Sequence, residues 1–155
     1  MRILIDADAC PVTSLTRQIA AEHGVSVLTV ASVAHLPQEG EVIVVDNVPE
    51  AADLAIFARV RAGDLVITGD YGLAALVLSK GAKALSPYGT VFTHENIDGF
   101  LQRRYLSSKI RRAGGRERGP RPRTRSDDLA FSAALRVLLL KSGQASRKLP
   151  APAEE

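Results

Sequence analysis

The chain has one cysteine, three histidines and no tryptophan in 155 residues. A lone cysteine excludes an internal disulfide, and nothing calls for an oxidising compartment. Without a histidine or cysteine cluster, a zinc site of the usual nitrogen and sulfur ligands is not expected. Aromatic residues make up only 5%. No apolar run approaches the roughly 20 residues that span a bilayer. The first residues read as a strand, not as a charged-then-apolar leader. A cytoplasmic protein with no membrane partner is therefore expected.

What is present is a length suited to one domain with a real core. Apolar residues reach 46% and charged residues 24%, both ordinary for a globular protein. The net charge of +3 hides a strong asymmetry. From Arg103 to Arg125 there are ten basic residues against a single acid, Glu117. That stretch carries +9, which leaves −6 on an acidic body.

Short β-branched runs alternate with helical patterns. Strands are expected at Ile3–Ile5, Val25–Val30, Val42–Val45, Leu65–Ile67 and Ala82–Leu85, with Thr90–Thr93 as a further edge strand. Helices are expected from Pro11 to His23, Pro49 to Arg61, Tyr71 to Lys80, Glu95 to Arg112 and Asp127 to Lys141, the last capped by Ser126. Its docking face should comprise Leu129, Ala133, Val137 and Leu140, with Phe131 and Leu138 beside it. The alternation implies a three-layer α/β/α domain over residues 1–141, with a mostly parallel sheet of four to five strands. Residues 113–125, rich in glycine, proline and arginine, read as a mobile or ligand-ordered basic loop within it. Residues 142–155 read as a flexible tail.

Parallel strands place their carboxyl ends on one edge, where ligands collect. That edge should gather Asp6 and Asp8 after the first strand, Asp46 after the third and Asp70 after the fourth. Asp53 falls on the apolar stripe with Ile56, Phe57 and Val60, so it should reach the same edge from a helix start. The competing reading makes Asp8 a helix cap and Asp6 an acceptor in the turn. Converging carboxylates repel unless a cation or protons neutralise them. Oxygen ligands of this kind suit Mg2+ or Mn2+. Such ions activate water and bind phosphate oxygens, which makes a phosphodiester the natural substrate.

The basic stretch fits that chemistry, because arginine pairs bidentately with phosphate. Arg111 and Arg112 at a helix end and Arg116, Arg118 and Arg125 on the arm are the candidate substrate contacts, with Thr68 at the strand end. A solvated, charge-solubilised linker is the alternative. Only Phe100 and Tyr105 accompany the basic stretch, so base stacking is a weak expectation. Cys10 is a candidate nucleophile at a helix start, but a packing role fits it better.

The pattern Asp6-Ala7-Asp8-Ala9-Cys10-Pro11 resembles the opening motif of the bacterial YaiI/YqxD family. The resemblance extends through Ala52-Asp53, Gly63 to Thr68 with Asp70, Leu73-Ala74, Gly81-Ala82, Gly114-Gly115, Gly119-Pro120, Asp127 and Phe131. That family is grouped with PIN-like domains, whose characterised members are metal-dependent ribonucleases and structure-specific nucleases. The resemblance implies a PIN-like fold and a nuclease that favours RNA over DNA. It implies Asp6, Asp53 and Asp70 as catalytic metal ligands, with Asp8 a further candidate. Asp46 and Asp64 match a fourth acid less well. Where the family reads Asp-Arg, this chain has Asp127-Asp128, so Arg125 is the substitute for that arginine. Nucleic acid is the expected partner, and a homodimer a further candidate.

Two rival functions remain from the sequence. Asp6-Ala7-Asp8 with Thr68 imitates a haloacid-dehalogenase-like phosphatase, but Ala74 stands where a later acid is needed. The arginine arm fits a non-catalytic nucleic-acid or protein binding module equally well.

Overall fold

A computed structural model describes residues 1–33, 40–48, 50–115 and 121–148, without the side chains of Ala9 and of residues 144–148. Among these residues six strands form one sheet: β1 (Ile3–Asp6), β2 (Val27–Ser32), β3 (Glu41–Val45), β4 (Leu65–Ile67), β5 (Lys83–Leu85) and β6 (Val91–Phe92). Their spatial order is β3-β2-β1-β4-β5-β6. All neighbours run parallel except β6, which pairs antiparallel with β5. The sixth strand is the expected edge segment at Thr90–Thr93, shortened to two residues.

Five helices cover the faces: α1 (Thr13–Glu22), α2 (Ala51–Arg59), α3 (Tyr71–Ser79), α4 (Ile97–Arg112) and α5 (Arg125–Lys148). Side chains alternate across the pleat as a sheet requires. Ile3, Ile5, Leu65 and Ile67 pack against Ile19 of α1 and Phe131 and Leu135 of α5. Leu4 and Val66 face the other way, against Ile56 of α2, Leu73 and Val77 of α3, and Ile97 of α4. This is a three-layer α/β/α arrangement. The chain steps from β1 outward to β2 with α1 on one face. After β3 it returns through α2 on the opposite face to β4, on the other flank of β1. Right-handed crossovers in opposite directions put their helices on opposite faces. The reversal leaves a switch point between β1 and β4, at the end where both strands finish.

Several expected boundaries move. Helix α1 begins at Thr13, not Pro11, because a single 3-10 turn (Ala7–Ala9) intervenes and Cys10 is extended, as the residue before proline prefers. Val12 precedes α1 without a side-chain cap, so Asp8 caps no helix there. The expected start of α2 at Pro49 lies outside the described residues, as do His35, Arg116 and Arg118.

Helix α5 differs most. It is capped by Thr124, not Ser126, and runs to Lys148. Thr124 Oγ1 accepts the Asp127 N–H, and Asp127 Oδ2 accepts the Thr124 N–H at 2.9 Å, a reciprocal capping box. The buried stripe is Phe131, Leu135, Leu138 and Leu139, whereas Leu129, Val137 and Leu140 are exposed. Two apolar stripes run along this helix, and sequence reasoning chose the outer one. Two arginines of the arm read as mobile or ligand-ordered make contacts at the start of α5. Arg121 makes two hydrogen bonds to Asp127, and Arg123 binds Asp128 and the Pro87 carbonyl. Among the described residues no helix is long and apolar enough to cross a membrane.

Candidate functional site

The carboxyl edge at the β1–β4 switch point carries the expected acids on three separate elements. Asp6 is the last residue of β1, Asp70 caps α3 directly after β4, and Asp53 lies in the first turn of α2. Asp6 is 4% exposed. Burial pushes its carboxyl up to about 6, and the charges of Asp53, Asp8 and Asp70 add to the rise. Asp53 is also raised, first by burial, then by Asp70 and Glu50, with Arg104 opposing. These acids share one electrostatic neighbourhood that protein groups only partly neutralise.

Asp70 is held by a short sequence device. Thr68 Oγ1 accepts the Asp70 N–H at 3.0 Å. Asp70 Oδ1 in turn accepts the Leu73 N–H at 3.1 Å and the Arg104 Nη1–H at 3.2 Å. Among the described residues nothing bonds Asp70 Oδ2, and no hydrogen bond reaches the Asp53 carboxylate. Thr68 itself is fully buried. It orients Asp70 and does not face a ligand.

The remaining candidates separate. Asp8 turns to β2, where its carboxylate accepts the Ser32 N–H and Oγ–H at 3.1–3.2 Å. Asp46 is exposed at the end of β3, two strands from β1. Asp64 is buried at the opposite edge, accepting from Arg2 and the Arg61 N–H, and is structural. Cys10 is buried with Sγ 3.5 Å from the Ile67 carbonyl, and burial together with Asp6 pushes its thiol up to about 12. It is a packing residue. Arg111, Arg112 and Arg125 are exposed on helix ends.

Two residues escaped sequence reasoning. Arg104 looked like one of many basic residues on α4, yet it reaches Asp70 from 34 positions away. Glu50 adopts a left-handed backbone (φ 69°) and lines an open cleft of about 670 Å³ with Asp53, Asp70 and Arg104. It is a better placed fourth acid than Asp46 or Asp64. Nothing in the local pattern marks it, because its direction is set by a positive φ.

The donor set is entirely oxygen, which suits a hard divalent ion in kind. Among the described residues no three acidic, histidine or cysteine side chains come together closely enough to hold a metal ion. The fit is thus to an ion held through one or two carboxylates with water completing its shell, as magnesium usually prefers.

Comparison with known proteins places the chain. A family model described as "Uncharacterized BCR, YaiI/YqxD family" matches residues 4–141. A UPF0178 protein of Alkaliphilus metalliredigens is 47% identical, covering 96% of this chain and 97% of its own. A UPF0178 protein of Enterococcus faecalis is 43% identical, covering 92% and 99%. The crystal structure of Rae1 (YacP) from Bacillus subtilis (W164L mutant) aligns over 96% of this chain and all of its own, at 18% identity and a TM-score of 0.40. With residues 4–141, from within β1 into α5, matched by the family model, the chain belongs to the YaiI/YqxD family.

Proposed function

We propose that this protein is a divalent-metal-dependent nuclease that hydrolyses phosphodiester bonds, with RNA favoured over DNA. The observation that carries it is the convergence of Asp6, Asp53 and Asp70 from β1, α2 and the start of α3 at the switch point, where Asp53 and Asp70 add to the rise at Asp6 and Asp70 to the rise at Asp53. A buried acid raised by like charges is costly to keep unless it serves chemistry. The preference for RNA rests on the resemblance to PIN-like ribonucleases.

One or two of the carboxylates Asp6, Asp53 and Asp70 would hold Mg2+ or Mn2+ with water completing its shell, and the ion would supply an activated water and charge for the phosphate oxygens. The protein's own groups do the rest. Thr68 and the Leu73 N–H fix the Asp70 carboxylate. Arg104, half exposed on the cleft wall, offers its remaining N–H groups to a phosphate. The exposed Lys109, Arg111 and Arg112 continue the positive path along α4.

The test is cleavage of a labelled single-stranded RNA with Mn2+, with and without EDTA. Metal-dependent cutting that Asp6→Asn removes supports the reading; RNA and DNA left intact under all conditions argues against it. A second reading, a binding module without chemistry, is favoured by the absence of a three-acid cluster among the described residues. It gains if RNA binds and stays intact.

A further inference from the structure

The chain has seven aromatic residues, four phenylalanines and three tyrosines. Four of them, Tyr71, Tyr88, Phe92 and Phe100, line a single small pocket. Tyr71, Phe92 and Phe100 pack on one another with ring centroids 5.1–5.8 Å apart. Tyr88, at the tip of the β5–β6 hairpin, is 43% exposed. Phe92 belongs to the core with Tyr71 and Phe100 packed against it, and together with the exposed Tyr88 these rings surround a small opening.

The pocket adjoins the acids. It shares Gly69 and Tyr71 with a shallow hollow that also carries Asp70 and Arg104, and that hollow shares Asp70 and Arg104 with the acidic cleft. A continuous path therefore runs from Glu50 and Asp53, past Asp70, to Tyr88. We propose that the aromatic pocket is a subsite for one unpaired pyrimidine base of a polynucleotide whose neighbouring phosphate lies at Asp70. The inference rests on the nuclease reading and deepens it.

Size and polarity both point to a pyrimidine. The pocket is about 140 Å³, close to the roughly 150 Å³ cavity that accommodates benzene. One six-membered ring fits; a fused purine is larger. Ser86 Oγ, on the lining, already accepts the Tyr88 and Thr90 N–H groups at 3.2 and 3.0 Å. With both lone pairs engaged, the hydroxyl has only its proton to offer. A pyrimidine carbonyl oxygen is the matching acceptor.

The hairpin that carries Tyr88 packs closely on α5. Gly89 has φ +88°, and a Cβ there would lie 2.7 Å from the Ala130 carbonyl oxygen of α5. The guanidinium groups of Arg123 and Arg121 lie 5.3 and 5.8 Å from the Tyr88 ring centroid, and both are anchored to the start of α5. The ring is thus preorganised at the end of the path.

Fluorescence anisotropy of labelled hexanucleotides on the full chain, in EDTA and in Mn2+, tests the subsite. Oligo(U) and oligo(C) should bind on the order of tenfold tighter than an abasic strand of equal charge. Tyr88→Ala should erase that difference and keep the wild-type melting temperature, whereas Tyr88→Phe should preserve it. Oligo(A) should bind like the abasic strand. Wild-type protein that binds pyrimidine, adenine and abasic strands equally overturns the subsite and leaves the nuclease reading standing. A pyrimidine preference that survives Tyr88→Ala overturns it too. No binding of any strand in either buffer overturns both.

Discussion

Arg104 Nη1 stands 3.2 Å from Asp70 Oδ1, the oxygen that also caps α3. One carboxylate is thus shared between fold and site: Oδ1 starts a helix and meets a cation, and Oδ2 is left for a ligand. The pair is exposed enough that its own contribution to stability is small. Its meaning is electrostatic, since Arg104 is the charge that opposes the rise at Asp53.

Replacing Arg104 by Gln therefore changes binding more than folding. Manganese affinity should rise, because a competing cation has gone. RNA affinity should fall, with the slope of log K against log salt smaller by about 1. Unfolding free energy should move by less than about 1 kcal/mol. Calorimetry, anisotropy across a salt series and urea unfolding check the three parts.

Asp6 should cost stability at neutral pH. Its folded pKa of about 6 lies above the ordinary carboxylate value. The folded chain then binds more protons than the unfolded one between about pH 4 and 6, so stability falls as pH rises through that window. Asp6→Asn should gain up to about 3 kcal/mol at pH 7.5, a gain that disappears near pH 4. Urea unfolding at both pH values reads the difference; a variant less stable at pH 7.5 contradicts it.

Asp127 works in the opposite sense. The two hydrogen bonds from Arg121, with those from Thr124, hold its carboxyl well below the usual range. Its contribution is present above the unfolded carboxylate pKa and is lost as pH falls through the lower folded value. Asp127→Asn should lower the melting temperature at pH 7, with the gap from wild type closing toward acid pH.

The Cys10 thiol, pushed up to about 12, should not react with a disulfide reagent at pH 8 until urea unfolds the chain. Cys10→Ala should retain whatever RNA cleavage the wild type shows. Rapid labelling of the folded protein, or loss of cleavage in a stable variant, contradicts a packing role.

Helix α5 provides a paired test of the core. Leu135→Ala should cost about 2–5 kcal/mol, since the side chain is fully buried. Leu140→Ala, exposed on the other stripe, should change stability by less than about 0.5 kcal/mol.

The same helix shows where sequence reasoning stops. β4 was legible to the residue, because an apolar run between Gly63-Asp64 and Thr68-Gly69-Asp70 has clear punctuation. Asp53 was legible because it falls on the stripe of Ile56 and Val60, both buried in the structure. On α5 two apolar stripes alternate, and periodicity cannot say which one meets Ile5 and Ile19. Asp8 stood as a further candidate beside Asp6, but the 3-10 turn between β1 and α1 rotates it toward Ser32. Arg104 and Glu50 were hidden for a different reason: one acts across a long sequence separation and the other through an unusual φ. The aromatic pocket was hidden likewise, since its four rings come from α3, the β5–β6 hairpin, β6 and α4.

The central claim is that the acidic field of Asp6, Asp53 and Asp70 attracts one divalent ion, held directly by one or two of these carboxylates with water completing its shell. Calorimetric titration of the full chain with Mn2+ at pH 7.5 tests it most directly, comparing wild type with Asp6→Asn and Asp70→Asn, each verified as folded. The account predicts saturable binding in the wild type and its loss in both variants. Absence of binding to the wild type, or unchanged binding in both variants, would contradict it.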